Sequence, residues 1–227
     1  MAKPPRRTRR TAEEARELIL DAAEAQLVKH GPDSLRLVQL AEEVGLSHPA
    51  ILHHFGNREG LVRAVVERAM GRLEGQIVES LRAGDLHEGA DAALLARVFR
   101  VLADEGHARL MVWLYLSGAI TRDPIGPGRK LELIAGTIHE LRRGRGVAAD
   151  LEDTTFTVLL ASYALLGNAI AGVPLRRGAG LADDDETGAR VNARFLAWFA
   201  RLLREHLERA PAPAAPTAPG SRGKRRR

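Results

Sequence analysis

Between Arg36 and Phe55 the chain reads R-L-V-Q-L-A-E-E-V-G-L-S-H-P-A-I-L-H-H-F, and this stretch leaves few ways to fold. Leu37, Leu40, Ala41 and Val44 recur at helical spacing, so one face of a short helix is apolar while Gln39, Glu42 and Glu43 look outward. Gly45 stops that helix, because glycine takes the positive φ of a helix-ending turn, and Leu46 plugs the crook. Ser47 is placed to cap a second helix by accepting from its first-turn N–H groups. Pro49 fits the same account, since a first-turn N–H has no intrahelical partner to lose. Ile51 and Phe55, four apart, turn back onto the first helix and leave His48, Ala50, Leu52 and His53 pointing away. Two short helices locked by a glycine turn, the second with a small, polar, partly cationic outer face, describe a helix-turn-helix. Its second helix is shaped for the major groove of a DNA duplex.

The residues in and around this motif resemble the N-terminal signature of the TetR family of bacterial transcriptional regulators. Ile19, Leu20, Ala22, Ala23, Leu27 and Gly31 stand at its first positions; Leu40, Ala41, Gly45, Leu46, Ser47, Ile51, His54, Phe55 and Leu61 follow. The resemblance implies an all-α fold: an N-terminal three-helix DNA-binding domain and a larger helical domain for ligand binding and dimerisation. It places DNA contacts at Arg36, Gln39, Ser47, His48, Pro49, Ala50, Leu52, His53, His54 and Arg58. Arg58 stands where the family usually has a phosphate-holding lysine, and arginine performs that role equally well. His48 occupies a slot from which it could donate to guanine N7 or O6. Leu52 replaces a usual tyrosine and so removes a hydroxyl donor, while Arg36 and Leu37 stand where threonine or serine is common. His54 suits a packed histidine as well as a contact.

Composition sets the wider limits. The chain has 227 residues and no cysteine, so it carries no disulfide framework and no thiolate metal site, which suits a reducing cytoplasm. No apolar signal core follows the basic N-terminus and no window approaches eighteen uninterrupted apolar residues, so neither secretion nor a membrane span is expected. Ten basic side chains in residues 1–10 and 221–227, against a net charge of +5, leave the stretch between them acidic. A basic leading arm beside a helix-turn-helix would meet phosphate and make binding salt-dependent; the other reading of each charge run, favoured for the C-terminal one, is a solvated tail with no defined contact.

The expected organisation is a disordered basic arm at 1–10, a DNA-binding domain at 11–60, a ligand-binding and dimerisation domain at 61–209, and a disordered Pro/Ala-rich basic tail at 210–227. Thr11 with Glu14 is a capping box for a helix to about Lys29, and Asn57 caps a helix from Arg58 to about Arg82. Beyond Gly84 helices are expected over Asp91–Asp104, Glu105–Ile120, Pro127–Arg143, Asp150–Ala171 and Asp184–Glu208, with breaks at Gly and Pro clusters and no sheet.

Two of those helices carry more apolar surface than one face can hide. Phe156 to Gly172 is apolar almost all round, and the last helix carries Phe195, Trp198, Phe199 and Leu202. Two such helices from each of two chains form a four-helix bundle, with Phe156, Leu160, Ala164, Gly167, Ala171, Phe195, Trp198, Phe199 and Leu202 at a homodimer interface. The other reading makes both helices internal core of a monomer. Dimerisation fits a palindromic operator, because two recognition helices must reach grooves about one turn apart.

For a small-molecule effector the candidate lining is Met111, Trp113, Leu114, Tyr115, His139, Tyr163 and Asn168, although Met111, Trp113 and Tyr115 suit plain core as well. Asn168, inside an apolar helix, needs a buried partner: a ligand, or a polar group across the dimer. No metalloprotease or P-loop pattern occurs, and Gly144-x-Gly146-x-x-Ala149 follows a helix where a dinucleotide site needs a strand, so no enzyme and no cofactor is expected. Asp183, Asp184, Asp185 and Glu186 could hold a cation or cap the last helix, and His53 with His54 lacks a third ligand; no metal site is expected. The residues point to a ligand-responsive repressor that binds DNA as a homodimer. The alternative is a helical small-molecule-binding or scaffolding dimer whose head reads no DNA.

Overall fold

A computed structural model describes residues 11–83, 90–118, 127–181 and 184–209. The basic arm, the Pro/Ala-rich tail, the Asp123-Pro124 break and Asp183 lie outside the described residues. Within them the chain forms helices α1 (Ala12–His30), α2 (Leu37–Val44), α3 (His48–Phe55), α4 (Arg58–Arg82), α5 (Ala90–Ala103), α6 (His107–Leu116), α7 (Pro127–Gly144), α8 (Leu151–Gly178) and α9 (Asp185–Glu208), and no strand. A single 3-10 turn, Pro32–Ser34, joins α1 to α2.

Local chemistry sets most of these ends. Thr11 Oγ1 accepts from the Glu14 N–H at 3.1 Å while the Glu14 carboxylate accepts from the Thr11 N–H at 2.7 Å, which completes the capping box. Asn57 caps α4 by accepting from Gly60 N–H at 2.7 Å, and Asp184 caps α9 by accepting from Thr187 N–H at 2.7 Å. That bond accounts for Asp184 as a cap; Asp185 faces Arg177 at 3.6 Å and Glu186 faces Arg190 at 3.5 Å.

Three boundaries depart from expectation. α6 ends at Leu116, ahead of a turn at Ser117 and Gly118, short of the expected Ile120. α6 starts at His107, since Gly106 sits at φ 73° and cannot continue the turn before it. α8 runs on to Gly178 instead of breaking near Gly172, with Pro174 inside it. Proline removes one N–H and usually bends or ends a helix. Here the segment beyond it is tied back to the bundle: Arg176 Nη1 donates to Asn168 Oδ1 at 2.6 Å and to Asn192 Oδ1 on α9 at 3.2 Å.

The main core runs through the whole bundle. Ile19, Leu40, Ile51, Leu61 and Val65 from the first four helices join Leu110, Leu114, Leu165 and Leu196 in one buried cluster. The head is therefore fused to the body along α4, which packs on α1, α6 and α7, and an expected boundary near residue 60 falls inside that helix. A second cluster, Val78, Leu81, Ile134, Ala135 and Val158, closes the far end of α4 against α7 and α8.

Length and composition alone would allow α8 to cross a membrane, and it alone among the described helices meets that test. In the fold it lies against α5, α6, α7 and α9, with Thr154, Thr157, Val158, Leu165 and Gly172 buried. Its other side remains apolar and open.

Candidate nucleic-acid interface

The turn between α2 and α3 is built by hydrogen bonds that the sequence announces. Gly45 sits at φ 67°, ψ 33°, Gly45 N–H donates to Glu42 O at 3.2 Å, and Leu46 N–H donates to Ala41 O at 2.9 Å. This is the paired closure of a Schellman turn, which a side chain at Gly45 would strain. Ser47 Oγ then caps α3 by accepting from Ala50 N–H at 3.3 Å. Ile51, with no exposed surface, anchors α3 to the core, a burial that contributes about 2 kcal/mol. One face of the helix is thereby fixed inward, and the opposite face must be outward.

That outer face carries most of the expected contact residues. Pro49, Leu52 and His53 are exposed on α3, His48 and Ala50 are half-buried beside them, and Gln39 is exposed on α2. His54 packs between its neighbours, 5.7 Å from His53 and 6.0 Å from Phe55 by ring centroid, so its ring faces protein on both sides. Arg36 is exposed but already donates from Nη1 to Asp33 O at 2.6 Å, closing the turn ahead of α2. Arg58 is the surprise. Its Cζ lies 5.1 Å from the centroid of the Trp113 ring on α6, and its Nε lies 3.5 Å from the Glu59 carboxylate.

Behind the motif, a polar joint ties α1 to α4 and α6. Arg68 reaches Glu17 at 2.9 Å, Asp21 at 2.8 Å and Glu24 at 2.6 Å, and Arg72 reaches Glu24 at 2.6 Å. His107, fully buried, turns Nδ1 to Val101 O at 3.1 Å and Nε2 to Glu24 Oε1 at 3.3 Å. The contact with His107 holds the Glu24 carboxyl at about 2 against the opposing effect of burial, with Arg68 and Arg72 assisting. None of these residues is singled out by the motif or by helical periodicity. The joint's signal was an acidic stripe at Glu17, Asp21 and Glu24 matched by basic residues four apart at Arg68 and Arg72.

Further into the body lies a cavity of about 390 Å³ among α4 to α9, lined almost wholly by apolar side chains such as Leu73, Ile77, Val98, Ile134 and Val158. Met111, Tyr115 and Tyr163 line it as expected. The other four lining candidates stand elsewhere. Trp113 turns to Arg58, Leu114 is fully buried in the main core, and half-buried His139 is not in the lining. Asn168 finds its partners within the chain, donating from Nδ2 to Asn192 Oδ1 at 2.8 Å and accepting from Arg176. Helical spacing alone does not tell which flank of an all-apolar helix meets the hollow, and those four residues fall on other flanks. The polar groups in the lining include Arg204, paired with Asp91 at 3.1 Å, and Arg142. Arg142 itself is fully engaged, donating to Asp153, Thr154 and the carbonyls of Leu207 and Arg209.

The open side of α8 is a stripe of Phe156, Leu160, Tyr163, Gly167 and Ile170, continued by Trp198 and Leu202 on α9. Ala164, Ala171 and Phe195 are half-buried at its edges. Phe199 does not belong to it. It is 4 % exposed and stacks on Phe195 at 5.9 Å, because α9 presents it to the chain's own core.

An all-helical body carrying a capped helix-turn-helix defines a class of DNA-binding regulatory folds. Residues 19–65 match the family described as bacterial regulatory proteins, tetR family. Over those residues the chain is similar to the TetR family. An uncharacterized HTH-type transcriptional regulator of Mycobacterium tuberculosis is 30% identical over 117 residues, 52% of this chain and 55% of that protein. The HTH-type transcriptional regulator TtgR of Pseudomonas putida is 39% identical over 62 residues, 27% of this chain and 30% of its own. The chain thus spans about half the length, or less, of the curated relatives it matches. A crystal structure of a TetR-family regulator from Mesorhizobium loti shares the fold over 87% of this chain and 98% of its own, with a TM-score of 0.61 and 19% identity.

Proposed function

We propose that the chain is a DNA-binding transcriptional repressor that grips a palindromic operator as a homodimer and is released by a small, largely apolar effector. The observation that carries this reading is the outer face of α3. Ser47, Pro49, Leu52 and His53 stand clear on a helix whose inner face is locked down by Ile51. Two supports are independent of it. The unpartnered apolar stripe on α8 and α9 suits a second copy of the chain, and the cavity suits a ligand with few polar groups.

The same helix serves both ends of the mechanism. α4 gives Met70, Leu73 and Ile77 to the cavity wall and starts at Arg58 beside the motif. An occupant that shifts α4 would shift the head with it, and in a dimer that changes the spacing of the two recognition helices. A cytoplasmic site of action accompanies this reading.

A gel shift against the intergenic DNA upstream of the chain's own gene tests it. Binding should weaken when His48 and His53 are replaced by alanine, and should fall steeply with salt. The second reading, a ligand-binding dimer whose head reads no DNA, draws on Leu52 and on Arg58 being seated over Trp113. Absent or salt-insensitive binding to every duplex would favour it.

A further inference from the structure

A second concavity lies outside the apolar cavity, between α4 and the end of α5. It is a cleft of about 610 Å³ bordered by Arg72, Gln76, Arg97, Arg100, Val101 and Glu105. Three guanidinium groups meet one carboxylate there. The side chains of Arg97 and Arg100, three apart on α5, have no ion pair or hydrogen bond among the described residues, and like charges at that spacing repel. Some surface arginines elsewhere do find carboxylates: Arg177 with Asp185, Arg190 with Glu186, Arg201 and Arg209 with Glu205.

We propose that this cleft is a binding site for a small polyanion bearing phosphoryl or carboxylate groups, held by Arg97 and Arg100 with Arg72 as a third donor. Guanidinium forks match the paired oxygens of such groups, and an anion relieves the repulsion that the empty arrangement carries. Duplex phosphate is a poor fit. Arg72 lies fourteen residues along α4 from Arg58, about 21 Å up the helix from the edge of the motif.

The position gives the site something to act on. Arg72 also holds Glu24 at 2.6 Å, and Glu105 lies 3.9 Å from His107 Nδ1. A bound anion shares Arg72 with Glu24, so occupancy reaches the joint between α1, α4 and α6. This inference does not depend on what fills the apolar cavity.

The test is a calorimetric titration of the full chain with inorganic pyrophosphate and, separately, citrate. Saturable binding of at least one probe is expected, weakened about a hundredfold in R97Q/R100Q, since each of the two lost charge-assisted contacts contributes about tenfold. A control pair on α9, R190Q/R194Q, removes the same charge and should leave affinity unchanged. Tighter pyrophosphate identifies a phosphorylated ligand; tighter citrate identifies a polycarboxylate. Both variants change side chains that hold no other residue of the core, and circular dichroism checks that they fold. Failure of both probes to bind, equal binding by R97Q/R100Q, or an equal loss in the α9 control would each overturn the proposal.

Discussion

The guanidinium of Arg58 rests over the ring of Trp113, 5.1 Å from its centroid, joining the first residue of α4 to α6 in the body. A cation on a partly exposed aromatic face contributes about 0.5–1 kcal/mol. A phosphate contact is of similar size, so duplex can draw Arg58 off the ring. Trp113 and Trp198 are the two tryptophans of the chain. With Trp198 changed to phenylalanine, adding operator duplex should shift Trp113 emission, and Arg58→Gln should abolish that shift while weakening duplex binding. Emission that ignores duplex at saturation would show that the contact is a static strut.

Acid should loosen the joint under the head. The Glu24 carboxyl is held at about 2 in the fold, well below the ordinary glutamate value of about 4.3. A carboxylate lowered on folding adds stability above its unfolded pKa, and that share is lost as pH falls from about 4.5 toward 2. Glu24→Gln should therefore cost about 2 kcal/mol at neutral pH and flatten the acid limb of a stability profile. Urea titrations of both proteins at pH 7 and pH 3 would show it; equal losses at both pH values would refute the assignment.

Gly172 is buried where a Cβ would meet Asn168 Oδ1 and Arg176 Nη1. Gly172→Ala gains about 1 kcal/mol of helix propensity but breaks hydrogen bonds to a charged group that contribute about 1.5–3 kcal/mol. The expected balance is a loss of about 1 kcal/mol, a fall of about 2–4 °C in Tm. A rise in Tm would show that the Asn168–Asn192–Arg176 cluster contributes little.

Phe156 and Leu160 are 59 % and 53 % exposed, one turn apart on the open side of α8. Glutamate at both positions should turn a dimer into a monomer by light scattering, with circular dichroism unchanged because neither residue supports the core. Operator affinity should fall about a hundredfold or more, since one head must then bind without the effective concentration supplied by the other. An unaltered mass would move the interface away from this stripe.

The head was legible because its rules are local. A capping serine, a glycine at positive φ and residues four apart act within one or two turns, so Arg36 to Phe55 dictates its own helices, and its outer face follows from Ile51 alone. The body was legible only as a set of helices. Nothing within Phe156–Gly172 says which flank meets α7, which meets the cavity and which stays open, so Leu165 reaches the hollow, Leu160 stays open and Asn168 turns to Asn192. Phe199 and Trp198 show the same limit: one residue of separation sends the first into the core and the second toward solvent.

The sequence by itself determined that this chain is helical, where its helix-turn-helix lies and which side chains that motif offers. Tertiary structure decided how the motif is attached to the body. Glu24, Arg68 and His107 are distant along the chain, and their contact is set by how α1 crosses α4 and α6. So is the seating of Arg58 on Trp113, because a side chain that can reach several partners takes the one that packing brings within range.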